Sequence, residues 1–292
     1  MERTKRFRSL RGLILGALAL VSLWAALIFG TTGRYLTPIR EELGEGPEGS
    51  ARVGIGVEGR PEELPAWSIA PRAEGRAVFL LVHGLAGHPA AWNGLAEALH
   101  RRGFGVVIPF MRGHTESPVR TINLGPGEAE EVVAAARWVQ RTHPGSPIIP
   151  VGISLGGAAV WLASAQAPDL FAAVVTEGAF ARLAWASRDT IGRMPLRFAV
   201  EAPVRALMRQ KLGFGEEEVR PDLAAKVWRG RPALVIHAEQ DGMFGPRHAL
   251  ALAEASGAEI WTVPGARHAM ALFSDIEAAA DRLLALADRV EA

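Results

Sequence analysis

The chain has 292 residues, enough to bury a sizeable core, and its formal net charge of +1 gives no sign of a nucleic-acid partner. Hydrophobic residues make up 49% of the sequence, partly because of one N-terminal segment. The absence of cysteine excludes a disulfide framework, a thiolate nucleophile and a cysteine-ligated metal site.

The first predicted element is a membrane anchor over residues 1–30. Five basic residues precede an uncharged apolar run at residues 12–30. A helix needs about twenty apolar residues to cross a bilayer, and the core of a cleaved signal peptide is shorter. An uncleaved anchor is therefore favoured, with a signal peptide (and a secreted protein) or a buried core helix as alternatives. The positive cluster predicts a cytoplasmic N-terminus and an extracytoplasmic remainder.

Residues 31–50 are predicted to be a linker. Their second half, residues 41–50, is acidic, rich in glycine and almost without apolar residues. Such a composition is typical of a flexible chain, whose average span at this length is about 25 Å. The domain beyond it would then stand just off the membrane.

Residues 54–59 match the dinucleotide fingerprint Gly-x-Gly-x-x-Gly literally. Pro61 and Pro65 follow at once, and two prolines so close together do not continue a phosphate-binding helix. The segment is therefore interpreted as a turn between two early strands, and no nucleotide cofactor is expected.

From residue 51 to residue 292, short β-branched runs alternate with helical patterns. The first two runs, at residues 53–57 and 67–70, predict a hairpin. Further strands are predicted at residues 77–82, 106–108, 148–151, 173–175, 233–236 and 260–263. Helices are predicted at residues 89–102, 128–141, 155–166, 248–256 and 275–290. Near-continuous apolar strands separated by helices indicate a mostly parallel sheet covered on both faces.

Residues 181–230 interrupt this alternation and are too long for a simple crossover. Their pattern is helical and predicts a small cap inserted over the site. Its large apolar side chains are Trp185, Met194, Phe198, Met208 and Trp228. The first four of these side chains could contact a substrate's acyl chain or alcohol, or they could form the cap's own core.

The most informative motif is Gly-Ile-Ser-Leu-Gly at residues 152–156, between a predicted strand and a helix of small residues. Strand, Gly-x-Ser-x-Gly and helix form the layout of a nucleophile elbow. The sharp turn lifts the Ser154 hydroxyl above the sheet and places the N–H of Leu155 beside it at a helix N-terminus. The motif therefore predicts a serine nucleophile.

Four segments carry a family resemblance. They are Leu-Val-His-Gly-Leu at residues 81–85, Arg-Gly-His-Thr-Glu-Ser at 112–117, the serine elbow, and the pair of segments at 236–241 and 263–268. With these motifs the chain resembles the lysophospholipase and monoacylglycerol-lipase-like serine esterases of the α/β-hydrolase superfamily. The resemblance covers about four-fifths of the chain. It implies an α/β-hydrolase fold with a helical cap, here preceded by a membrane helix.

The resemblance implies a catalytic triad of Ser154, Asp241 and His268, in the chain order of this superfamily. A serine hydroxyl needs an adjacent base, for which His268 is the candidate. A carboxylate must orient that imidazole and stabilise its charged form. Asp241 follows the predicted seventh strand, where the family carries its acid. Glu177, after the sixth strand, is the rival, or else it lines the pocket or caps a helix.

Two backbone N–H groups are expected to stabilise the oxyanion. Leu155 should supply one of them, and Leu85, in the loop after His83 and Gly84, should supply the other. His83 is expected to brace that loop rather than to react. The remaining histidines show no metal-ligand spacing, and no cofactor is expected.

These features predict a serine hydrolase that cleaves carboxylic esters or thioesters through an acyl-enzyme, on small or lipid-derived substrates. A serine at the elbow excludes the epoxide hydrolases and dehalogenases of this fold, which use aspartate. The alternatives are a cofactor-free perhydrolase, a peptidase or amidase, and a non-catalytic membrane-tethered binding protein. The predicted partners are an ester substrate and a membrane, and the sequence indicates no oligomeric state.

Overall fold

A central eight-stranded sheet organises the structure, a computed structural model that describes residues 2–192 and 197–291. Its strands are β1 (Ala51–Gly56), β2 (Glu63–Ile69), β3 (Val78–Val82), β4 (Gly105–Pro109), β5 (Ile148–Ile153), β6 (Val174–Glu177), β7 (Ala233–Gln240) and β8 (Glu259–Arg267). The strand order is β1-β2-β4-β3-β5-β6-β7-β8. β1 and β2 form an antiparallel hairpin, β2 pairs antiparallel with β4, and the remaining pairs are parallel.

Helices flank this sheet and precede it. They are α1 (Glu2–Leu36), α2 (Asn93–Arg101), α3 (Pro126–Thr142), α4 (Leu155–Gln166), α5 (Leu183–Ile191), α6 (Arg197–Leu212), α7 (Pro221–Ala225), α8 (Arg247–Ser256), α9 (Ala271–Ser274) and α10 (Ile276–Glu291). Apolar side chains of α3, α4, α7 and α8 pack on one face of the sheet. Those of α2 and α10 pack on the other. The parallel strands β3, β4 and β5 are buried along their whole length because both faces are covered.

The sheet confirms the predicted fold class. The first two strands form the predicted hairpin, so residues 54–59 belong to a strand and a turn. Helix α4 has the predicted bounds, and the other predicted helices are shifted by only a few residues at their ends. The apolar periodicity of this part of the chain was sufficient to locate its elements because both faces of the sheet are buried.

The N-terminal helix is longer than the predicted anchor and continues to Leu36. Its part from Leu15 to Leu36 is long and apolar enough to cross a membrane by length and composition, and an 18-residue stretch of it has a mean hydropathy of 1.9. Signal sequences and some core helices share these properties. Only 11% of that stretch is buried.

In the structure, residues 31–50 contact the main domain, whereas the sequence predicts a flexible linker there. Leu36 and Leu43 are buried in two different apolar clusters of the main domain. The guanidinium of Arg40 donates a hydrogen bond of 2.6 Å to the backbone oxygen of Ser117. The segment has few apolar residues, but these few contact the domain. The composition of the whole segment, which is mostly polar, does not reveal them. The division of the chain at residues 30 and 50 stays a prediction.

The predicted cap region contains three helices, α5, α6 and α7. Helices α5 and α6 contribute Leu183, Ile191 and Met208 to the space above the sheet. Helix α7 and the turn after it differ, because Ala225 of the helix and the fully buried Trp228 of the turn pack in the cluster that covers the sheet. The extent of the insertion, given by the sequence as about residues 181–230, stays a prediction.

Candidate active site

The elbow at Ser154 lies between β5 and α4 and has a strained backbone. Ser154 has φ = 54° and ψ = −117°, a conformation that side chains rarely adopt. A Cβ atom at Gly152 would lie 2.5 Å from the backbone oxygen of Gly156, and one at Gly156 would collide with the carbonyls of Val82 and His83. Both glycines of the motif are therefore required by close backbone approach.

The structure brings Ser154, His268 and Asp241 together. His268 Nε2 lies 3.0 Å from Ser154 Oγ, and His268 Nδ1 lies 2.7 Å from Asp241 Oδ2. Each residue directly follows the carboxyl end of a parallel strand, so the sheet gathers them at one edge. An ionised carboxylate only accepts hydrogen bonds, so Nδ1 carries the proton and Nε2 is free to accept from the serine hydroxyl.

The carboxylate of Asp241 is held on its other side as well. Its side chain is 1% exposed, and Oδ1 accepts hydrogen bonds of 2.8 Å from the N–H groups of both Met243 and Phe244. Burial opposes ionisation, but the hydrogen bond and charge of His268, together with these N–H groups, lower the pKa of Asp241 below its usual value. Asp241 is thus a fixed anion beside the imidazole.

Glu177, the rival acid, has other partners. Its two carboxylate oxygens accept hydrogen bonds from the N–H groups of Ala271 (2.7 Å) and Leu272 (3.0 Å), at the start of α9. Burial raises the pKa of Glu177, and these two N–H groups partly offset that effect. Glu177 therefore caps the helix that begins three residues after His268, which is the capping alternative of the sequence analysis.

The two expected oxyanion donors lie beside the elbow. Leu155 is the first residue of α4, and both Leu85 and Leu155 line the cavity above Ser154. A Cβ atom at Gly84 would lie 2.9 Å from Ser154 Cβ and 3.5 Å from the nitrogen of Leu155, so the loop after β3 touches the elbow. In that loop the N–H of Ala86 donates to His114 Nε2 at 3.0 Å and is not free to act on a substrate.

Two buried histidines brace this loop. His83 Nδ1 donates to the oxygen of Gly84 at 3.0 Å, and its Nε2 accepts from the N–H of Met111 at 3.3 Å. Burial and the neighbouring His114 lower the pKa of His83 to about 3, so its ring is neutral. His114 Nδ1 donates to the oxygen of Arg112 at 2.8 Å. Its Nε2 therefore carries no proton and can accept from the loop.

An apolar cavity of about 820 Å³ lies over Ser154. Its size is within the range of about 300–1,000 Å³ that is usual for ligand sites. Its larger apolar side chains are Leu85, Trp92, Leu124, Ile153, Leu155, Phe180, Leu183, Ile191, Met208, Met243, Phe244, Met270, Phe273 and Ile276. Within residues 2–192 and 197–291, no group of three or more histidine or acidic side chains could hold a metal ion.

The apolar residues that the sequence analysis assigned to the cap lie in different environments. Met208 lines the cavity, whereas Phe198 is 88% exposed to solvent. Trp185 packs edge-on against His248 instead of facing the cavity. Met194 lies outside the described residues. Neither alternative, a substrate wall or a self-packed core, accounts for the whole cap.

Sequence reasoning missed two residues that contact the site. The ring of Phe244 packs edge-on against His268, with 5.0 Å between ring centroids. Tyr35, assigned to the linker, lines the cavity. Phe244 lies three residues after Asp241, and this short separation from the candidate acid could have indicated that it lies near the site. Nothing local marks Tyr35, because its approach depends on how the N-terminal helix docks.

Residues 77–190 match the model of the alpha/beta hydrolase fold family. An esterase from Pyrococcus furiosus is similar at a TM-score of 0.72 and 16% identity, covering 88% of this chain and 99% of that one. An esterase domain from Rhodothermus marinus gives 0.60 and 23%, covering 83% and 100%. Est1E from Butyrivibrio proteoclasticus, solved with ferulic acid bound, gives 0.62 and 19%, covering 80% and 98%.

Proposed function

We propose that this chain, which has the α/β-hydrolase fold, is a serine hydrolase that cleaves carboxylic esters. The observation that carries the proposal is the hydrogen-bonded series Ser154–His268–Asp241 beneath an apolar cavity. The esterase names of the similar structures support it. The order of these contacts, hydroxyl to imidazole to carboxylate, supports the proposal because it is the order that activates a serine hydroxyl.

In the first half of the reaction, Ser154 Oγ attacks the ester carbonyl and its proton moves to His268 Nε2. Asp241 stabilises the resulting imidazolium through the 2.7 Å contact with Nδ1. The N–H groups of Leu155 and Leu85 receive the negative oxygen of the tetrahedral intermediate. Collapse of this intermediate breaks the bond to the alcohol, which leaves with the proton from His268.

In the second half, water enters and His268 takes one of its protons. The hydroxide formed attacks the acyl-enzyme, and a second tetrahedral intermediate uses the same two N–H groups. Its collapse releases the carboxylic acid and returns the proton to Ser154. Phe244 and the apolar cavity walls surround the reacting groups with apolar side chains, which lowers the local dielectric and strengthens the attraction between Asp241 and the imidazolium.

We infer a lipid-derived acyl ester as the favoured substrate. The cavity is lined mainly by apolar side chains, which suit an alkyl chain better than a polar group. The motifs shared with lysophospholipases and monoacylglycerol lipases support the same class. A thioester of similar shape would react by the same steps.

The N-terminal helix is proposed to anchor the enzyme, with the catalytic domain outside the cytoplasm. Between Arg11 and Trp24 the helix has twelve residues, or about 18 Å, which is less than the roughly 30 Å of a bilayer core. From Trp24 onward it contacts the cap, since its indole N–H donates to the oxygen of Ala199 at 2.8 Å. If the helix spans the bilayer, the turns after Trp24 must therefore also lie in it. The cap that contacts these turns would then lie against the outer leaflet, and the catalytic domain would not stand off the membrane on a tether.

A panel of nitrophenyl esters from two to sixteen carbons tests the function, with the Ser154→Ala variant as the control. We expect hydrolysis by the wild type that the variant lacks, and labelling of Ser154 by a fluorophosphonate. A purified, folded protein that neither hydrolyses any ester nor takes the label would favour the non-catalytic binding protein. For topology, a reporter active only in the cytoplasm, fused at the C-terminus, should be silent, and an active reporter would reverse the orientation.

A further inference from the structure

We propose that the N-terminal helix is a wall of the substrate cavity and that Tyr35, near its end, determines which chain length the cavity accepts. The inference rests on the proposed ester hydrolase function of the same site. It changes the role of the helix from a tether to a part of the enzyme that contacts substrate.

The end of the helix is seated on the cap. Ile28 is 5% exposed and packs with Ile191, Val200 and Val204 of helices α5 and α6. Thr32, one turn later, is fully buried. Because residues four apart lie on the same side of a helix, this side faces protein along its final two turns.

The last residue of the helix and the chain after it are hydrogen-bonded to two loops beside the cavity, one after β4 and one after β3. The oxygen of Leu36 accepts from the N–H of Ile122 at 3.0 Å, in the loop after β4. Farther along, His88 Nδ1 accepts from the N–H of Ala90, so its Nε2 donates to the oxygen of Glu42 at 2.9 Å. His88 itself lines the cavity. These contacts hold the N-terminal segment in one position beside the active site.

Tyr35 directly precedes Leu36, the first of these attachments. It is half-buried and lines the cavity together with Ile191 and Met208 of the cap. Both cap residues also contact the apolar cluster in which the N-terminal helix packs. The phenol ring is therefore part of one continuous wall, made by the helix and the cap together.

A bulky ring in a close-packed wall limits the space for an alkyl chain. Tyr35→Ala would remove about seven non-hydrogen atoms, which leaves room for roughly four more carbons in a cavity packed at ordinary density. One methylene in an apolar pocket changes kcat/KM by roughly ten-fold or more. We therefore expect Tyr35→Ala to move the preferred ester length upward and to raise the long-to-short ratio of kcat/KM by at least about ten-fold.

Phe29 provides the matched control. It is also aromatic, lies on the same helix six residues earlier, and is 61% exposed outside the cavity. Phe29→Ala should leave the chain-length profile unchanged. Equal shifts in both variants, or no shift in Tyr35→Ala at an unchanged melting temperature, would overturn the inference.

A second measurement uses the wild-type sequence and does not depend on a variant folding. Tyr35 is the chain's one tyrosine, so biosynthetic 3-fluorotyrosine places a single fluorine label in the cavity wall. The labelled full-length protein, in detergent micelles, is treated with an ethyl or a dodecyl fluorophosphonate. In both reactions Ser154 Oγ bonds to phosphorus, fluoride leaves and the serine proton passes to His268.

The dodecyl adduct should shift the fluorine resonance of Tyr35, and the ethyl adduct should leave it close to the free position. Complete labelling of Ser154 with the same resonance for both adducts would overturn the inference and leave the proposed function intact. Absence of labelling by either reagent would overturn the proposed function and this inference with it.

Discussion

Replacing each of the two candidate acids, Asp241 and Glu177, by its amide distinguishes a catalytic carboxylate from one that stabilises the fold. In Asp241→Asn, the two N–H groups of Met243 and Phe244 keep the amide oxygen on their side, because both lie 2.8 Å from Oδ1. The amide NH₂ then faces His268 Nδ1, which must accept instead of donate. The imidazole proton moves to Nε2, and the ring can no longer take the proton of Ser154.

The expected loss is large. A wrong histidine tautomer in such a triad lowers kcat by about 10,000-fold, which corresponds to about 5 kcal/mol of transition-state stabilisation. The stability should change little, because the amide oxygen keeps both backbone partners. In Glu177→Gln we expect the reverse, a loss of stability with a smaller loss of kcat. Each oxygen of Glu177 accepts from a different backbone N–H group, so in the amide one of these two N–H groups must face the side-chain NH₂ and loses its acceptor. A buried unsatisfied group costs about 1–3 kcal/mol of stability.

The assay is kcat on a short nitrophenyl ester for both variants, with melting temperatures measured in parallel and Ser154→Ala as the baseline. Asp241→Asn should fall close to that baseline while melting near the wild type. Glu177→Gln should melt lower and keep at least about a tenth of kcat, since it acts only through the position of the His268 loop. A greater loss of kcat in Glu177→Gln than in Asp241→Asn would refute the assignment of the acid.

Three further outcomes are expected. Ser154→Ala should lower ester hydrolysis by several orders of magnitude at an unchanged melting temperature, and retention of more than a few per cent would exclude Ser154 as nucleophile. Leu43→Ala should lower the free energy of unfolding, measured in urea, by about 2–5 kcal/mol, because the side chain is only 7% exposed. The control Ile39→Ala, at an 85% exposed position, should change it by less than about 0.5 kcal/mol. Equally small effects of both variants would support a flexible linker. The folded pKa of His83 is about 3, below its unfolded value of 6.5, so the unfolded chain binds more protons between these values and stability falls as pH falls through that window. From pH 7 to pH 5 the wild type should lose about 2 kcal/mol more than His83→Gln, and parallel losses would show that His83 is not held neutral.

Those residues of the candidate site that belong to a short motif, or that directly follow a predicted strand, could be predicted from the sequence. Ser154 is marked by its two glycines, whose close backbone contacts leave no room for a side chain. Asp241 and His268 directly follow strands, and parallel strands gather such residues at one sheet edge. These features depend on spacing along the chain, so a single sequence was enough to propose them.

Other features depend on contacts between distant segments, which no local pattern encodes. The role of Glu177 was undecided until its two oxygens were seen to accept the N–H groups of Ala271 and Leu272, almost a hundred residues later. Residues 31–50 have the composition of a tether, yet Leu36 and Leu43 are buried because apolar surface of the folded domain lies within their reach. Tyr35 lines the cavity for the same reason. The sequence determined the strands, helices and reactive groups, and tertiary packing alone decided which distant residues surround them, because burial is a property of the assembled surfaces.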